Sequence, residues 1–363
     1  MGKTASEGKA LLSIPEGVFY NPEMELCRDI CSLCVMAIGG KPSLLDAMCA
    51  TGVRGIRYKK ENKLGPLTLV DMSKKAVLCA RKNAKKNKVK CKCIKADAKR
   101  FLLENRFDFV EIDPFGSPVP YLHYAAHSFR AKKKGYLSVT ATDMAVLCGA
   151  HHSACLKNYC SIPLDNEFCH ENAVRILAAK VIQEFSPFNL SAKPIFTLSH
   201  RHYVKIIFEI SKGSEKAVLS VKSLSFLGYC TKCCFREAKR LPKARDCPYC
   251  GNSLLFAGPL YTGPLWDSKI IGKMLQENVK RHYKKKKEIE KLLSTMLSES
   301  KINSYAYYDL HVLAKKMKKP IKRIDDVLEN LRKAGFLATR THFCATAIRT
   351  DAPHEEVIET VIG

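Results

Sequence analysis

SLLDAMCATGVRGIRYKKENKLGPLTLVDM, residues 43–72, reads as strand, loop, helix, strand. SLLDAM is a short apolar run that ends on an acid, and PLTLVDM repeats that pattern. Between them Gly52 and Gly55 open a loop, and RGIRYKKEN has helical spacing. A strand, a crossover helix and a second strand predict a parallel pair with a right-handed connection. The alternation continues. VKCKCIKADA (89–98), FDFVEIDPF (107–115) and GYLSVTATD (135–143) read as strands, with KKAVLCARKNAKKN, KRFLLEN and VPYLHYAAHSFRA as helices between them. ENAVRILAAKVIQEF (171–185) adds a helix. KPIFTLSHRHYVKIIFEISKG (193–213) reads as a hairpin that turns at SHRH and closes the sheet. The expected fold class is α/β: a Rossmann-like domain over residues 1–215, with helices on both faces of a mostly parallel sheet.

Residues 216–363 follow a different pattern and predict a smaller α+β domain. A cysteine cluster at 226–251 precedes the Gly/Pro-rich loop GPLYTGPLWD (258–267), and 269–299 reads as one long basic helical stretch. Within it HYKKKK (282–287) is expected to be a solvated helix face that touches RNA backbone. Two helices at 309–318 and 321–335, then a hairpin at 336–351, follow the order of a winged helix. Both helices are basic, which favours nucleic-acid binding over packing alone.

Charge points the same way. Sixty-one Lys and Arg against 35 Asp and Glu leave a net +26, an excess that suits a polyanionic partner. The N-terminus lacks the apolar core of a secretory signal, and no run approaches the ~18 apolar residues of a membrane span. The 17 cysteines are therefore expected to be reduced rather than a disulfide scaffold. A cytoplasmic monomer, with no membrane association and no obligate protein partner, is expected.

In an open parallel sheet, ligands sit outside the carboxyl ends of the strands. Here those ends carry Asp46, Asp71, Asp97 and Asp113 in series. Singly, each acid reads as a helix N-cap; as a series they read as a ligand cradle. Asp71 is placed for ribose hydroxyls and Asp97 for the exocyclic amine of a base. Gly52 and Gly55 let the backbone approach, but the loop has neither the glycine pattern nor the Lys-Ser/Thr of a pyrophosphate site. A nucleoside that ends in an amino acid, S-adenosylmethionine, fits better. Arg28, Arg54 and Arg57 are the candidates to meet its carboxylate.

After the fourth strand comes DPFGSP (113–118). The exocyclic amine of a base is a poor nucleophile because its lone pair is delocalised into the ring. A carboxylate that accepts its N–H favours pyramidalisation and can take the proton, the role expected of Asp113. Phe115 would stack on the base, and Pro114 stiffens the turn and presents a carbonyl to the second N–H. A capped strand-to-helix turn accounts for the acid and the prolines but not for an exposed Phe.

DPFGSP resembles the amino-methyltransferase motif in the form used by the tRNA guanine-26 N2-dimethyltransferase family. EGVFYNPEMELCRDI (16–30), DAMCATGVRGIRY (46–58), GPLYTGPLWD (258–267) and HFCATAIRTDAP (342–353) are similar to it as well, so the resemblance spans essentially the whole chain. It implies a class I S-adenosylmethionine-dependent methyltransferase joined to a family-specific, RNA-binding C-terminal domain. The implied substrate is tRNA, with one and then two methyl groups transferred to N2 of guanine 26. By the same resemblance Phe19 would sandwich the base against Phe115. Arg28 and Arg54 would touch the methionine part, with Arg57 the alternative to Arg54, while Asp71, Asp97 and Ala98 would hold the adenosine. Met48 and Cys49 stand where small residues are expected. The competing readings are an amino-methyltransferase for another base and a non-catalytic nucleic-acid-binding protein.

GYCTKCCFREAKRLPKARDCPYCG holds two C-x2-C pairs, Cys230 with Cys233 and Cys247 with Cys250. Paired knuckles of this kind, over about 228–252, read as a zinc ribbon with a structural Zn2+. Cys234 rivals Cys233, although C-x3-C is the poorer spacing. His151 and His152 read as a solvated loop, and Cys148, Cys155 and Cys160 have no evident general base.

Overall fold

Seven strands order the molecule, and their sequence explains where a ligand can sit. The structure, a computed structural model, describes residues 2–240 and 245–362. A hairpin, β1 (Lys3–Glu7) and β2 (Ala10–Ile14), precedes helix α1 (Glu25–Ile38). Then come β3 (Leu44–Asp46), α2 (Val53–Glu61), β4 (Leu67–Asp71) and α3 (Lys74–Lys86). They are followed by β5 (Lys92–Lys95), α4 (Ala98–Glu104), β6 (Phe109–Ile112), α5 (Val119–Phe129) and β7 (Lys134–Ala141). Short α6 (Met144–Leu147) and α7 (His152–Tyr159) lead to the long α8 (Cys169–Phe185), then to the hairpin β8 (Leu190–His200) and β9 (Tyr203–Lys212).

The sheet runs β5-β4-β3-β6-β7-β9-β8. The first five strands are parallel, and β9 joins β7 antiparallel. The chain order reverses between β3 and β6, so a crevice opens above their carboxyl ends. Every residue of β3 and β6 is buried, as central strands require, whereas the edge strand β5 is partly open. The expected strands and closing hairpin are all present. Helix α1 and the β1–β2 hairpin have no counterpart among the expected elements.

After α9 (Ser214–Lys222), strands β10 (Leu224–Cys230), β11 (Arg236–Lys239) and β12 (Leu254–Tyr261) form an antiparallel sheet that carries the cysteine cluster. The single basic helix expected over 269–299 is two: α10 (Ser268–Lys280) and α11 (Lys286–Glu299). Their break is tied to the first unit. Arg281 donates to the Glu61 carbonyl at 2.7 Å and to Asn62 Oδ1 at 3.0 Å, and the Tyr283 hydroxyl donates to Glu61 at 2.8 Å. Tyr283 is buried, so HYKKKK is not one solvated helix face. Beyond it, β13 (Tyr308–Asp309), α12 (Leu310–Met317), α13 (Ile324–Lys333), β14 (Ala338–Arg340) and β15 (Ala347–Thr350) follow the winged-helix order, with α14 (His354–Ile362) appended. Strand β13 pairs with β15, so the expected hairpin is a three-stranded sheet. Among the described residues no helix is long and apolar enough to cross a membrane.

Candidate active site

The loop after β3 is shaped by short-range bonds. Gly52 has φ +77°, a left-handed conformation, and an added Cβ would press on Leu69 and Ala80 at 3.1–3.2 Å. Ala50 donates its N–H to Asp71 Oδ2 at 2.9 Å, and Ser73 donates to Asp71 Oδ1 at 2.9 Å. Those two bonds orient the Asp71 carboxylate at the strand end and leave each oxygen a free lone pair. Asp97 caps α4 by accepting the Lys99 N–H at 2.7 Å, so the N-cap reading holds for it. It is exposed and still has Oδ2 to offer. Ala98 is buried at the first position of α4.

Asp46 differs from that series. It is buried beneath the loop, accepts the Gly55 N–H at 3.2 Å, and has its carboxyl pushed up to about 7, first by burial and then by Glu111. It braces the loop from below instead of facing a ligand at the crevice mouth.

The three arginines divide in a way that spacing did not foretell. Arg57 is fully buried, and its three nitrogens donate to Glu61, Glu7 and Asp29. With every nitrogen held by a carboxylate and the side chain fully buried, Arg57 is a structural tie rather than a group facing the crevice. Arg28 forks onto Glu7 through Nε and Nη2, both at 2.6 Å, and reaches the Asn21 carbonyl at 2.9 Å. It thus braces the segment that carries Phe19 and keeps Nη1 uncommitted. Arg54 donates from Nη2 to Asp113, while its Nη1 is buried without any partner.

An unpaired guanidinium nitrogen in the interior is costly unless something occupies it. The unpartnered Arg54 Nη1 belongs to the same guanidinium that bonds Asp113. A cationic donor left unpaired suits the carboxylate of an amino-acid-bearing nucleoside.

Asp113 follows β6 and has a side-chain exposure of 24%, enough to be reached from the crevice. Burial alone would raise its carboxyl. Arg54 and Lys205 nearby, with hydrogen bonds from Thr140 and Arg54, hold it down to about 2. Lys205 is wholly buried, bonds Glu111, and donates to Thr140 Oγ1 at 2.9 Å. Glu111, Thr140 and Lys205 thus form a polar layer across β6, β7 and β9 under the DPFGSP turn. These supports were absent from the sequence reading. The signal was there: one acid in FVEI and one lysine in YVKIIF interrupt otherwise apolar runs.

The DPFGSP turn is fastened on its far side. Gly116 donates to Thr142 Oγ1 at 2.8 Å, and the Thr142 N–H returns to the Gly116 carbonyl at 3.0 Å. Ser117 Oγ lies 2.9 Å from the Tyr159 hydroxyl, which bonds both Asp143 oxygens at 2.8 and 2.9 Å. Phe115 and Phe19 stand 75% and 52% exposed. Their centroids are 4.5 Å apart at 77°, an edge-to-face contact. A base stacked on both faces needs roughly 7 Å between rings, twice an ordinary ~3.5 Å contact distance. The expected sandwich is therefore closed on itself here, and the rings must part to admit a base.

Four thiols gather at the ribbon. Cys230, Cys233, Cys247 and Cys250 have sulfurs 3.4–3.6 Å apart in three of their pairs. A tetrahedron with Zn–S of about 2.3 Å has edges of about 3.8 Å, so the set fits a tetrahedral ion with little movement. Backbone N–H groups of Lys232 and Cys233 face the Cys230 sulfur, and those of Tyr249 and Cys250 face Cys247. Cys234 turns away at φ +63°, accepting from the Tyr229 hydroxyl at 3.9 Å, so Cys233 is the member of the cluster.

A family model described as N2,N2-dimethylguanosine tRNA methyltransferase matches residues 2–362. The tRNA (guanine(26)-N(2))-dimethyltransferase of Methanothermobacter thermautotrophicus is 34% identical, over 99% of this chain and 98% of the relative. That of Pyrococcus horikoshii is also 34% identical, over 98% of this chain and 97% of the relative. The solved structure of Trm1 from Pyrococcus horikoshii with S-adenosyl-L-methionine has a TM-score of 0.92 at 34% identity, covering 99% of this chain and 100% of that one.

Proposed function

The chain belongs to the N2,N2-dimethylguanosine tRNA methyltransferase family, and from that premise we propose that it methylates N2 of guanine 26 in tRNA, once and then again. The observation that carries the reading is Asp113: an ionised, reachable carboxylate at the sheet's switch point, beside two exposed phenylalanines.

S-adenosylmethionine supplies an electrophilic methyl group on a sulfonium. Arg54 Nη1 and Arg28 Nη1 receive the methionine carboxylate, Asp71 the ribose hydroxyls and Asp97 the adenine amine, with Ala98 against the base. Phe19 and Phe115 separate and stack on the flipped guanine, a contact worth about 1–3 kcal/mol per base. That stacking offsets the few kcal/mol of extruding the base from the helix. Asp113 accepts one N–H of the 2-amino group and the Pro114 carbonyl takes the other, so the nitrogen lone pair is freed from the ring. As nitrogen gains its methyl it becomes a strong acid, and Asp113, although held low, accepts the proton and passes it to solvent. One N–H remains after the first transfer. Asp113 orients it for the second.

Residues 1–215 act as the methyltransferase domain and 216–363 as the RNA-binding domain, whose four cysteines hold a structural Zn2+. The RNA also has a basic surface on the first domain. Between Asp71 and Asp97 stand ten Lys and Arg, all exposed, with no acid among them. This α3–β5 face starts beside the target base, because Val18, next to Phe19, packs on Ala76 and Cys79 of α3. Phosphates that flank the flipped guanine meet those cations.

The test is nucleoside mass spectrometry of unmodified tRNA transcripts incubated with the protein and S-adenosylmethionine, beside a transcript with adenine at position 26. N2,N2-dimethylguanosine from the first alone is expected. Equal methylation of both would reject guanine 26 as the target.

A further inference from the structure

Outside the catalytic crevice and the ribbon, one more group of soft ligands converges. Cys148 ends α6, while Cys169 and His170 begin α8. The donor atoms of all three lie within 4.8 Å of one another. The turn that brings them together is tight. Gly149 has φ +103°, and a Cβ there would lie 2.7 Å from the Asp165 backbone nitrogen, so the chain after Cys148 is pressed onto the segment leading into α8.

The three side chains are also unspent. The Cys148 thiol has only Cys169 as a partner, and Cys169 has Cys148 and the backbone N–H groups at the start of its own helix. The His170 ring has no hydrogen-bond partner among the described residues, so its nitrogens are free to ligate. Elsewhere Cys344 donates to Asp309, and His342 is paired with Glu299.

We infer that Cys148, Cys169 and His170 form a second metal site, selective for a soft-to-borderline ion such as Zn2+. Zn–S near 2.3 Å and Zn–N near 2.0 Å set ligand separations of about 3.5–3.8 Å, so closing the cluster requires a contraction of at most about 1 Å. Binding displaces one proton from each thiol to solvent. The charge of Asp165 reaches both thiols, so that acid adds to the site's attraction for a cation.

The site's place in the fold gives it a purpose. Helix α6 directly follows Asp143, which holds Tyr159 and through it Ser117 of the catalytic turn. A metal that joins α6 to α8 would fasten the segment behind that turn. The ion is structural, remote from the reacting atoms.

The full chain, reduced and stripped with a chelator, is titrated with Co2+ and then Zn2+. Two equivalents per chain are expected, with sulfur-to-cobalt charge-transfer absorbance that corresponds to six thiolates rather than four. Cys148→Ser and Cys169→Ser should each bind one equivalent at four-thiolate intensity, with unchanged circular dichroism. His170→Gln should keep the thiolate band but bind the second ion at least tenfold more weakly. One equivalent in the unsubstituted chain, or two in Cys148→Ser, would overturn the site. So would a Cys148–Cys169 disulfide in a non-reducing peptide map of freshly isolated protein that lacks the second ion. Because the readout is metal count and spectrum, it stands apart from whether guanine 26 is the target.

Discussion

Asp113 and Arg54 form the ion pair on which the proposed chemistry rests. Burial by itself would protonate Asp113; the guanidinium beside it keeps it ionised. Asp113→Ala is expected to lower kcat/KM by about 10²–10³-fold, the scale seen when one preorganised partner of a developing charge is removed. Affinity for tRNA, read by gel shift, should stay unchanged. A rate equal to the parent would remove Asp113 from the reaction. The pH profile tests the same pair from the other side. With its carboxyl at about 2, Asp113 is ionised over the whole working range and contributes no acid limb. In Arg54→Gln burial dominates and the carboxyl rises, as it does for Asp46 on the neighbouring strand. Activity needs the ionised form, so at saturating S-adenosylmethionine the variant should lose rate as pH falls, with a limb at about pH 5–7. A profile as flat as the parent's would show that Arg54 does not set the charge state of Asp113.

Among the elements, the α3–β5 edge has the clearest separable role. Its cations lie on an edge strand and an outer helix, away from the buried chemistry, so their loss leaves the crevice intact. Replacing Lys82, Lys85, Lys86 and Lys88 by Ala should weaken tRNA binding. Each lost phosphate contact should flatten the slope of log Kobs against log salt by about 0.7–0.9. The rate at saturating tRNA should not change. A salt slope identical to the parent's would return this face to ordinary solvation. Helices α10 and α11 teach a complementary lesson. Their composition is continuous, but Arg281 and Tyr283 seek Glu61 and Asn62, and the helix breaks to let them.

Buried ions also tie the whole molecule together. Arg349 of β15 reaches Glu171 of α8 at 2.6 Å and Glu299 of α11 at 3.1 Å, and Glu299 also meets His342 at 2.7 Å. Despite burial, His342 and then Arg349 and Thr341 hold the Glu299 carboxyl down to about 2. The folded chain therefore resists a proton that the unfolded chain accepts at about 4.3. The stability from Glu299 is present above that value and is lost as pH falls toward about 2. Glu299→Gln should cost about 3–5 kcal/mol at pH 7, since it leaves the buried Arg349 short of a partner. Its urea midpoint should fall less steeply than the parent's between about pH 5 and 3.5. Parallel declines would show that Glu299 does not carry the acid sensitivity.

What the sequence determined by itself is what local order carries. Apolar runs that end on acids specify parallel strands with a ligand edge. DPFGSP specifies an acid and an aromatic on one stiff turn, and two C-x2-C pairs specify a ribbon. Periodicity reports which side of an element is buried, and short spacings report which side chains share a turn. Only the tertiary structure decided which charge meets which. Arg57 and Glu7 pair across 50 residues, and Lys205 and Glu111 across 94. No local pattern encodes such separations, so three arginines that look alike in sequence become a buried tie, a brace and the partner of Asp113. The contact of Phe19 with Phe115 and the gathering of Cys148, Cys169 and His170 have the same origin. Each arises where distant elements pack together, because close packing of the core places side chains that the chain itself leaves far apart.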